Sequence, residues 1–297
     1  MTALKSWLEE ARPQFLLGSL VSVFVGVSLA VYEGFSINLF NLVLSTSGAL
    51  ISHIGIHAFN DYSDYMTGID LKANRSPYSG GSGVLPSGKL QPTQVFYFGT
   101  SCLLAFVLIG IYFITTVGFA ILPLGLLGIA LMYFYTNRLT RVGLGEIATA
   151  VGFGAWSVGT YFVQTGHYSM SLLAVSVLPG LEGVSLLLLN EFPDVEADKL
   201  GGRRNIPLIF GMKSASRLYS VQIAFMFVWL LILVLIRILP PSALLGLIML
   251  PVGIRVISLA SKNYDNPESL MNALKLNVIV VLVLPFLVSA GTIFASI

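Results

Sequence analysis

The sequence predicts an all-α, polytopic membrane protein with nine transmembrane helices in one bundle, and three observations carry that expectation. Of its 297 residues, 56% are hydrophobic and only 10% charged, and the mean hydropathy of +0.86 is too apolar for a water-soluble globule. Nine apolar windows, each about the 17 to 25 residues that cross a bilayer, fall near 14–33, 37–60, 92–116, 118–136, 143–165, 169–191, 215–239, 242–260 and 273–296. The basic residues between them keep to alternate connections.

The first window follows Lys5, Glu9, Glu10 and Arg12 and is of full membrane length with no cleavage site, so it is expected to be a retained helix and not a signal peptide. The second ends in NDYSDYMTGID, Asn60 to Asp70. The third holds the single cysteine, Cys102, which excludes a disulfide framework within one chain and reads as a small buried hydrophobe. The fourth closes on Tyr133, Tyr135, Asn137, Arg138 and Arg141, where tyrosine is equally at home at a membrane interface or beside a cation. The sixth carries Glu182 near its middle and ends in NEFPDVEAD from Asn190. An intramembrane carboxylate is a candidate functional group, or a neutral one hydrogen-bonded to a neighbouring helix.

Lys5, Arg12, Lys72, Arg75, Lys89, Arg138, Arg141, Lys199, Arg203, Arg204, Lys213, Arg217, Arg255, Lys262 and Lys275 all fall on one side of the predicted topology; of the 16 basic residues only Arg237 does not. By the positive-inside rule that side is cytoplasmic, in a multi-pass protein of the cell membrane with its N-terminus and both acidic segments facing the cytoplasm. Acidic segments after helices two and six, four helices apart, suggest two four-helix repeats plus one added helix.

Carboxylates placed at the end of apolar runs are costly and need a reason. On a helix that continues through them, Asn60 and Asp64 share a face and Asp61 neighbours Asp64, with Asp70 just beyond. Asn190, Asp194 and Asp198 stand at i, i+4 and i+8, with Glu191 close by. These are hard oxygen ligands, suited to Mg²⁺ that keeps several waters and shares its shell with substrate phosphates. A single such cluster reads as readily as a solvated helix end; two make a constellation.

The connections at 61–91 and 192–213 are the substantial ones. The first carries SGGSGVLPSGKL, with Gly80, Gly81, Gly83 and Gly88, a turn-rich loop without the spacing of a known phosphate loop. The second sets Lys199, Arg203 and Arg204 beside Asp194 and Asp198, an arrangement that suits a metal-bridged anion. His53 and His57 are spaced like a metal pair, but with no third soft ligand nearby they read as structural. Pro193 is expected to break or kink the helix before Asp194.

Together these residues resemble the UbiA-type intramembrane prenyltransferases, whose two aspartate-rich motifs end helices two and six of a nine-helix bundle. The resemblance spans essentially all of residues 1–297 as one transmembrane prenyltransferase domain. NDYSDYMTGID, GLGE at Gly143–Glu146, GTYFVQTG at Gly159–Gly166, Arg12-Pro13 and DVEADKLGGRRNIP are most similar to the branch that prenylates 1,4-dihydroxy-2-naphthoate in menaquinone synthesis. Where that branch often has Asn-Asn and an Arg, this chain reads Asn190-Glu191-Phe192-Pro193.

The resemblance implies Mg²⁺ held by Asn60, Asp61, Asp64 and Asp70 and by Asn190, Asp194 and Asp198, binding the diphosphate of a polyprenyl diphosphate. It implies leaving-group neutralisation by cations among Arg12, Lys72, Arg138, Lys199 and Arg203, with Asp198 assisting acceptor deprotonation and Tyr133 stabilising the allylic cation. Partners would then be the prenyl diphosphate, an aromatic acceptor and the bilayer. A transporter, or an enzyme using 4-hydroxybenzoate, a haem or a glycerol phosphate lipid precursor, remains the alternative. Nothing points to nucleic acid, because the basic residues follow a membrane face.

Overall fold

The computed structural model describes residues 3–72 and 81–296. Arg75, Ser79 and Gly80, named above, lie outside the described residues. Among the described residues twelve α-helices occur: α1 (Ala3–Ala11), α2 (Pro13–Tyr32), α3 (Leu39–Thr67), α4 (Ile69–Lys72), α5 (Pro92–Val117), α6 (Leu122–Asn137), α7 (Gly145–Thr165), α8 (Met170–Leu200), α9 (Ile206–Phe210), α10 (Met212–Leu235), α11 (Leu250–Asn263) and α12 (Pro267–Phe294). No strand occurs among the described residues.

Nine of these helices are long, and eight of the nine spans are both long and apolar enough to cross a membrane. The ninth is α7, whose 21 residues include Glu146 and several Gly, Ser and Thr. Its moderate hydropathy has a structural reason: it packs against α2, α3, α6 and α8 and meets neighbours on most sides. The span containing α11 is completed by a run of 3-10 helix, Pro241–Met249, longer than such helices usually are. That run lies against α12, where a Cβ on Gly291 would stand 2.1 Å from the Ser242 carbonyl oxygen.

Lipid tails are as apolar as leucine, so burial alone does not drive helices together in a bilayer, and close approach at small residues does. Helices α2 and α7 meet in this way: a Cβ on Gly26 would come 2.3 Å from the Ser157 carbonyl oxygen, and Ser157 Oγ donates to the Ser22 carbonyl at 2.6 Å. Asn277 of α12, wholly buried, joins three helices. Its Oδ1 accepts from Ser185 Oγ of α8 at 2.7 Å and from Tyr219 Oη of α10 at 2.8 Å, while its Nδ2 donates to the Ser185 carbonyl at 3.0 Å. The outward faces carry exposed Leu104, Leu108, Leu126, Val221, Phe225 and Phe286, a lipid-facing girdle.

Equivalent helices of the two expected repeats pair alike: α2 packs on α3 and α3 on α5, as α7 packs on α8 and α8 on α10. The helices also run further than the apolar windows. Helix α3 continues through Asn60, Asp61 and Asp64 to Thr67, stopping at Gly68 with φ +81, and α8 continues to Leu200. The expected loop connections at 61–91 and 192–213 therefore begin as helix, through Thr67 and Leu200. Helix α8 also runs unbroken through Pro193, so of the expected break or kink the break does not occur. Proline inside a membrane helix is tolerated where neighbouring helices and side chains satisfy the backbone groups it frees.

Candidate active site

Because α3 and α8 carry their helical register past the apolar windows, their acidic residues project together into one cavity of about 210 Å³ at one end of the bundle. Asn60, Asp64 and Asp70 line it from one side and Asn190, Asp194 and Asp198 from the other. The i, i+4, i+8 expectation for α8 is met. Asp61 is buried but is not part of the cavity lining; it pairs with Arg12, which is, and accepts from Ser82 N of the glycine-rich segment.

Two arginines hold the acids. Arg203 bridges the helix ends, pairing through Nη2 with Asp64 Oδ2 and through Nη1 with Asp198 Oδ1 at 3.1 Å. Arg12 pairs with Asp61. The Arg12 backbone, at φ 49, lies in the left-handed region that a side chain rarely adopts; it turns the chain sharply between α1 and α2 just ahead of Pro13. Burial opposes the charge of Arg203, but Asp64 and Asp198 beside it raise its pKa above the ordinary guanidinium value.

The segment after the undescribed residues closes over this end. Ser82 N donates to Asp61 Oδ2 and Ser82 Oγ to Glu10 Oε2, each at 3.0 Å. Glu10 has no exposed surface; burial first and Asp61 second push its carboxyl up to about 8. Burial, then Asp61 and Asp64, likewise push Asp70 up to about 8. Gly81, at φ +74, lies so near that a Cβ there would stand 2.7 Å from Asp70 Oδ1. On the other side, Asn205 Nδ2 donates to Asp198 Oδ2 at 2.8 Å, and its Oδ1 caps α9 by accepting from Leu208 N at 3.1 Å. Glu146, the acid of GLGE, accepts from Ile206 N at 2.6 Å and fastens this turn to the start of α7.

Several expected residues do not join the cavity. Lys72, Arg138 and Lys199 are exposed and absent from its wall, and Arg138 lies with Arg141 on an outer surface. Tyr133 is 45% exposed on the outward face of α6, packed near Phe59 and Phe134, whereas Tyr135 lines the cavity and meets Thr149 Oγ1 at 3.4 Å. Two positions on a helix are about 200° apart, so only one of the pair can face inward. Glu182 is buried in α8 with Oε1 unpartnered and does not line the cavity. Sequence reasoning gave no role to Glu10 or Ser82, because their partners lie 72 residues apart in the chain. For Glu146 the GLGE motif was the available signal.

The cavity presents unmet groups of both signs. Arg12 Nε and Arg203 Nε are buried donors without an acceptor, and Asp70 Oδ2 and Asn190 Oδ1 are buried acceptors without a donor. Buried polar atoms left unpaired are costly, and this mixture suits an anion accompanied by a cation. Among the described residues no three His, Cys, Asp or Glu side chains stand together as a complete metal site.

Residues 19–279 match the family described as the UbiA prenyltransferase family. The chain belongs to that family. Being a UbiA prenyltransferase, it is an enzyme of the membrane with several spanning helices. It is 30% identical over 217 residues to 1,4-dihydroxy-2-naphthoate octaprenyltransferase of Haemophilus influenzae, covering 70% of each chain. It is 23% identical to the Bacillus subtilis enzyme of the same name, covering 89% of this chain and 84% of that one. To the 2-carboxy-1,4-naphthoquinone phytyltransferase of Synechocystis it is 27% identical, over 90% and 86%. The fold is shared with a UbiA homologue from Aeropyrum pernix, at TM-score 0.73 and 16% identity over 95% of this chain and 98% of that one. An Archaeoglobus fulgidus homologue bound to GPP and Mg²⁺ matches at TM-score 0.64 and 13% identity, over 96% and 99%.

Proposed function

We propose that this UbiA prenyltransferase transfers a polyprenyl group from its diphosphate to 1,4-dihydroxy-2-naphthoate, with Mg²⁺, at the cytoplasmic face of the membrane. The observation that carries the donor half is the pairing of unmet guanidinium donors with unmet carboxylate and amide acceptors in one cavity between α3 and α8. The naphthoate half rests on NDYSDYMTGID, GLGE and the names of the curated relatives. The basic residues at the acidic end support the cytoplasmic assignment.

The donor set fits Mg²⁺. Carboxylate and amide oxygens from α3, α4 and α8, which among the described residues do not gather into a complete cage, suit an ion that completes its shell with water and substrate phosphates. Asp64, Asp70, Asn190, Asp194 and Asp198 would hold it, and Asp61 would support them through Arg12. When bound, the metal supplies positive charge to the departing diphosphate oxygens.

The residues of the chain do the rest. Arg203 and Arg12 orient the diphosphate and neutralise it as the allylic C–O bond breaks and its electron pair leaves on oxygen. Lys72, Arg138 and Lys199 are left the lesser role of attracting the anion from outside. Beyond Leu131 and Trp156, which belong to both, the cavity adjoins an apolar chamber of about 300 Å³ between α3, α5, α6 and α7, lined among others by Ile109, Phe113 and Gly128. That chamber shelters the prenyl chain and keeps water from the allylic cation. Tyr135 takes the cation-facing place expected for Tyr133. The ring carbon bonds to the allylic carbon, and the ring then loses carbon dioxide or a proton.

The test is mass spectrometry of lipid extracts after purified protein meets geranylgeranyl diphosphate and the naphthoate, with Mg²⁺ or with EDTA. A prenylated, decarboxylated product present only with Mg²⁺ is expected. Diphosphate release without that product, or product from 4-hydroxybenzoate alone, overturns the acceptor; turnover in EDTA overturns the metal.

A further inference from the structure

The histidine pair that sequence reasoning set aside as structural lies in the wall of the same cavity. His53, His57, Asn60 and Asp64 are spaced i, i+4, i+7 and i+11, one stripe of α3, and all four line it. The His53 and His57 ring centroids are 4.5 Å apart, and Trp156 stands 4.8 Å from His53. Phe153 is 4.9 Å from Trp156, and Phe15 approaches His57 edge-on at 6.1 Å. These rings, tilted 38° to 75° to one another, line an aromatic recess on the membrane side of the acids.

Two polar atoms in it need explaining. His57 Nδ1 lies 3.3 Å from the Ala11 carbonyl oxygen. A carbonyl only accepts, so Nδ1 carries the proton and Nε2 keeps its lone pair. His53, only 7% exposed, has Nδ1 buried with no hydrogen-bond partner. A metal does not account for the pair, since among the described residues no third ligand joins it.

We propose that this recess is the acceptor subsite, taking a flat hydroxylated aromatic ring, with His53 bonding a ring substituent and His57 Nε2 receiving the hydroxyl proton. The inference rests on the prenyl-transfer reading above and adds which residues seat the acceptor. Seven residues separate His57 from Asp64, about 10 Å of helix, room for a diphosphate and a ring carbon in line. As the hydroxyl proton passes to Nε2, the ring carbon forms its bond to the allylic carbon and the C–O pair leaves on diphosphate. Loss of carbon dioxide from that ring carbon then restores aromaticity, and His57 returns its proton to the ring oxygen. Arg12 lines the same cavity as the pair, and the Ala11 carbonyl keeps the tautomer fixed.

His53→Phe, His57→Phe and His57→Gln test this, with KM for acceptor and donor measured separately and 1-hydroxy-2-naphthoate binding read by tryptophan quenching. In His53→Phe, acceptor KM and hydroxynaphthoate Kd are expected to rise about tenfold while donor KM holds within about twofold. In His57→Phe, kcat is expected to fall about 100-fold or more. His57→Gln keeps an acceptor atom but takes no proton, so it recovers acceptor KM and not kcat; if His57→Phe does not fold, this variant decides. Acceptor KM and kcat within about threefold of wild type in the histidine variants, or donor and acceptor KM moving together, overturns the subsite. If wild type prenylates the naphthoate and the variants match it, only this inference falls; if wild type prenylates no hydroxylated ring, both readings fall.

Discussion

The two acidic helix ends meet over one cavity but are built differently. The end of α8 is a single unbroken helix whose Asn190, Asp194 and Asp198 share a face, fastened by Arg203 and Asn205 from the turn that immediately follows. The end of α3 is interrupted at Gly68 and resumes as α4, and it is fastened from afar: Arg12 comes from 49 residues away, Ser82 from 21 and Arg203 from 139. One end is organised by local geometry and the other by the tertiary fold. Equal contribution to metal and diphosphate binding therefore requires the distant contacts to hold the α3 acids as firmly as a helix holds the α8 acids.

Neutralising one acid on each side tests that equality most severely. Asp64→Asn and Asp194→Asn are each expected to lower Mg²⁺-dependent product formation more than about 100-fold, with the thermal midpoint little changed. Wild-type rates in both break the metal assignment; a large loss in one alone makes the two ends unequal.

Arg203 ties the ends together directly, pairing with Asp64 of α3 and Asp198 of α8. Arg203→Lys keeps the charge but cannot span both acids, and donor KM is expected to rise about tenfold. Arg12→Lys, which touches only the α3 side through Asp61, is expected to raise it less. The reverse order in a steady-state assay would assign the diphosphate chiefly to Arg12.

The support of the α3 end also has a pH signature. Glu10, pushed from 4.5 up to about 8, keeps in the folded state a proton that the unfolded chain has lost. Its contribution to stability is complete below about pH 4.5 and disappears as pH rises through 8. Asp61 and Asp70 face it and strengthen the effect, while Arg12 and Ser82 oppose it. Glu10→Gln removes this slope, so its thermal midpoint should rise relative to wild type between pH 5 and pH 9 by about a few degrees. Parallel curves for the two proteins would show that Glu10 titrates normally.

The smallest effects separate two glycines at the α3 end. Gly68→Ala meets nothing within 4 Å and bears only the cost of φ +81, about 1 kcal/mol, with little effect on turnover. Gly81→Ala adds a Cβ 2.7 Å from Asp70 Oδ1 and should also lower donor affinity by about threefold to tenfold. If both variants lose only stability, Asp70 is not needed in its present place.

What could be read beforehand follows the same division. The α8 acids were legible because i, i+4 spacing alone puts them on one face. The apolar windows located the helices, yet they stopped short of Thr67 and Leu200, because hydropathy falls at the acids while the helix does not. Pro193 did not break α8 for a related reason, since a water-solvated helix and one held among neighbours respond differently to a missing N–H. Tyr133 and Tyr135 could not be told apart, as α6 is apolar on both its lipid face and its inner face. Glu10, Ser82 and the Arg12–Asp61 pair were hidden because nothing local announces a contact made across tens of residues.

The apolar chamber has an outer wall made of residues that also face lipid: Ile111 is 52% exposed, Leu126 56% and Leu122 38%. On the proposed reading, a tail longer than the chamber would reach the acyl chains past these half-exposed side chains. On the proposed reading the protein thus grips its donor at the charged end and leaves the other end unmeasured. The length of the product is then set by whichever isoprenoid the surrounding membrane supplies.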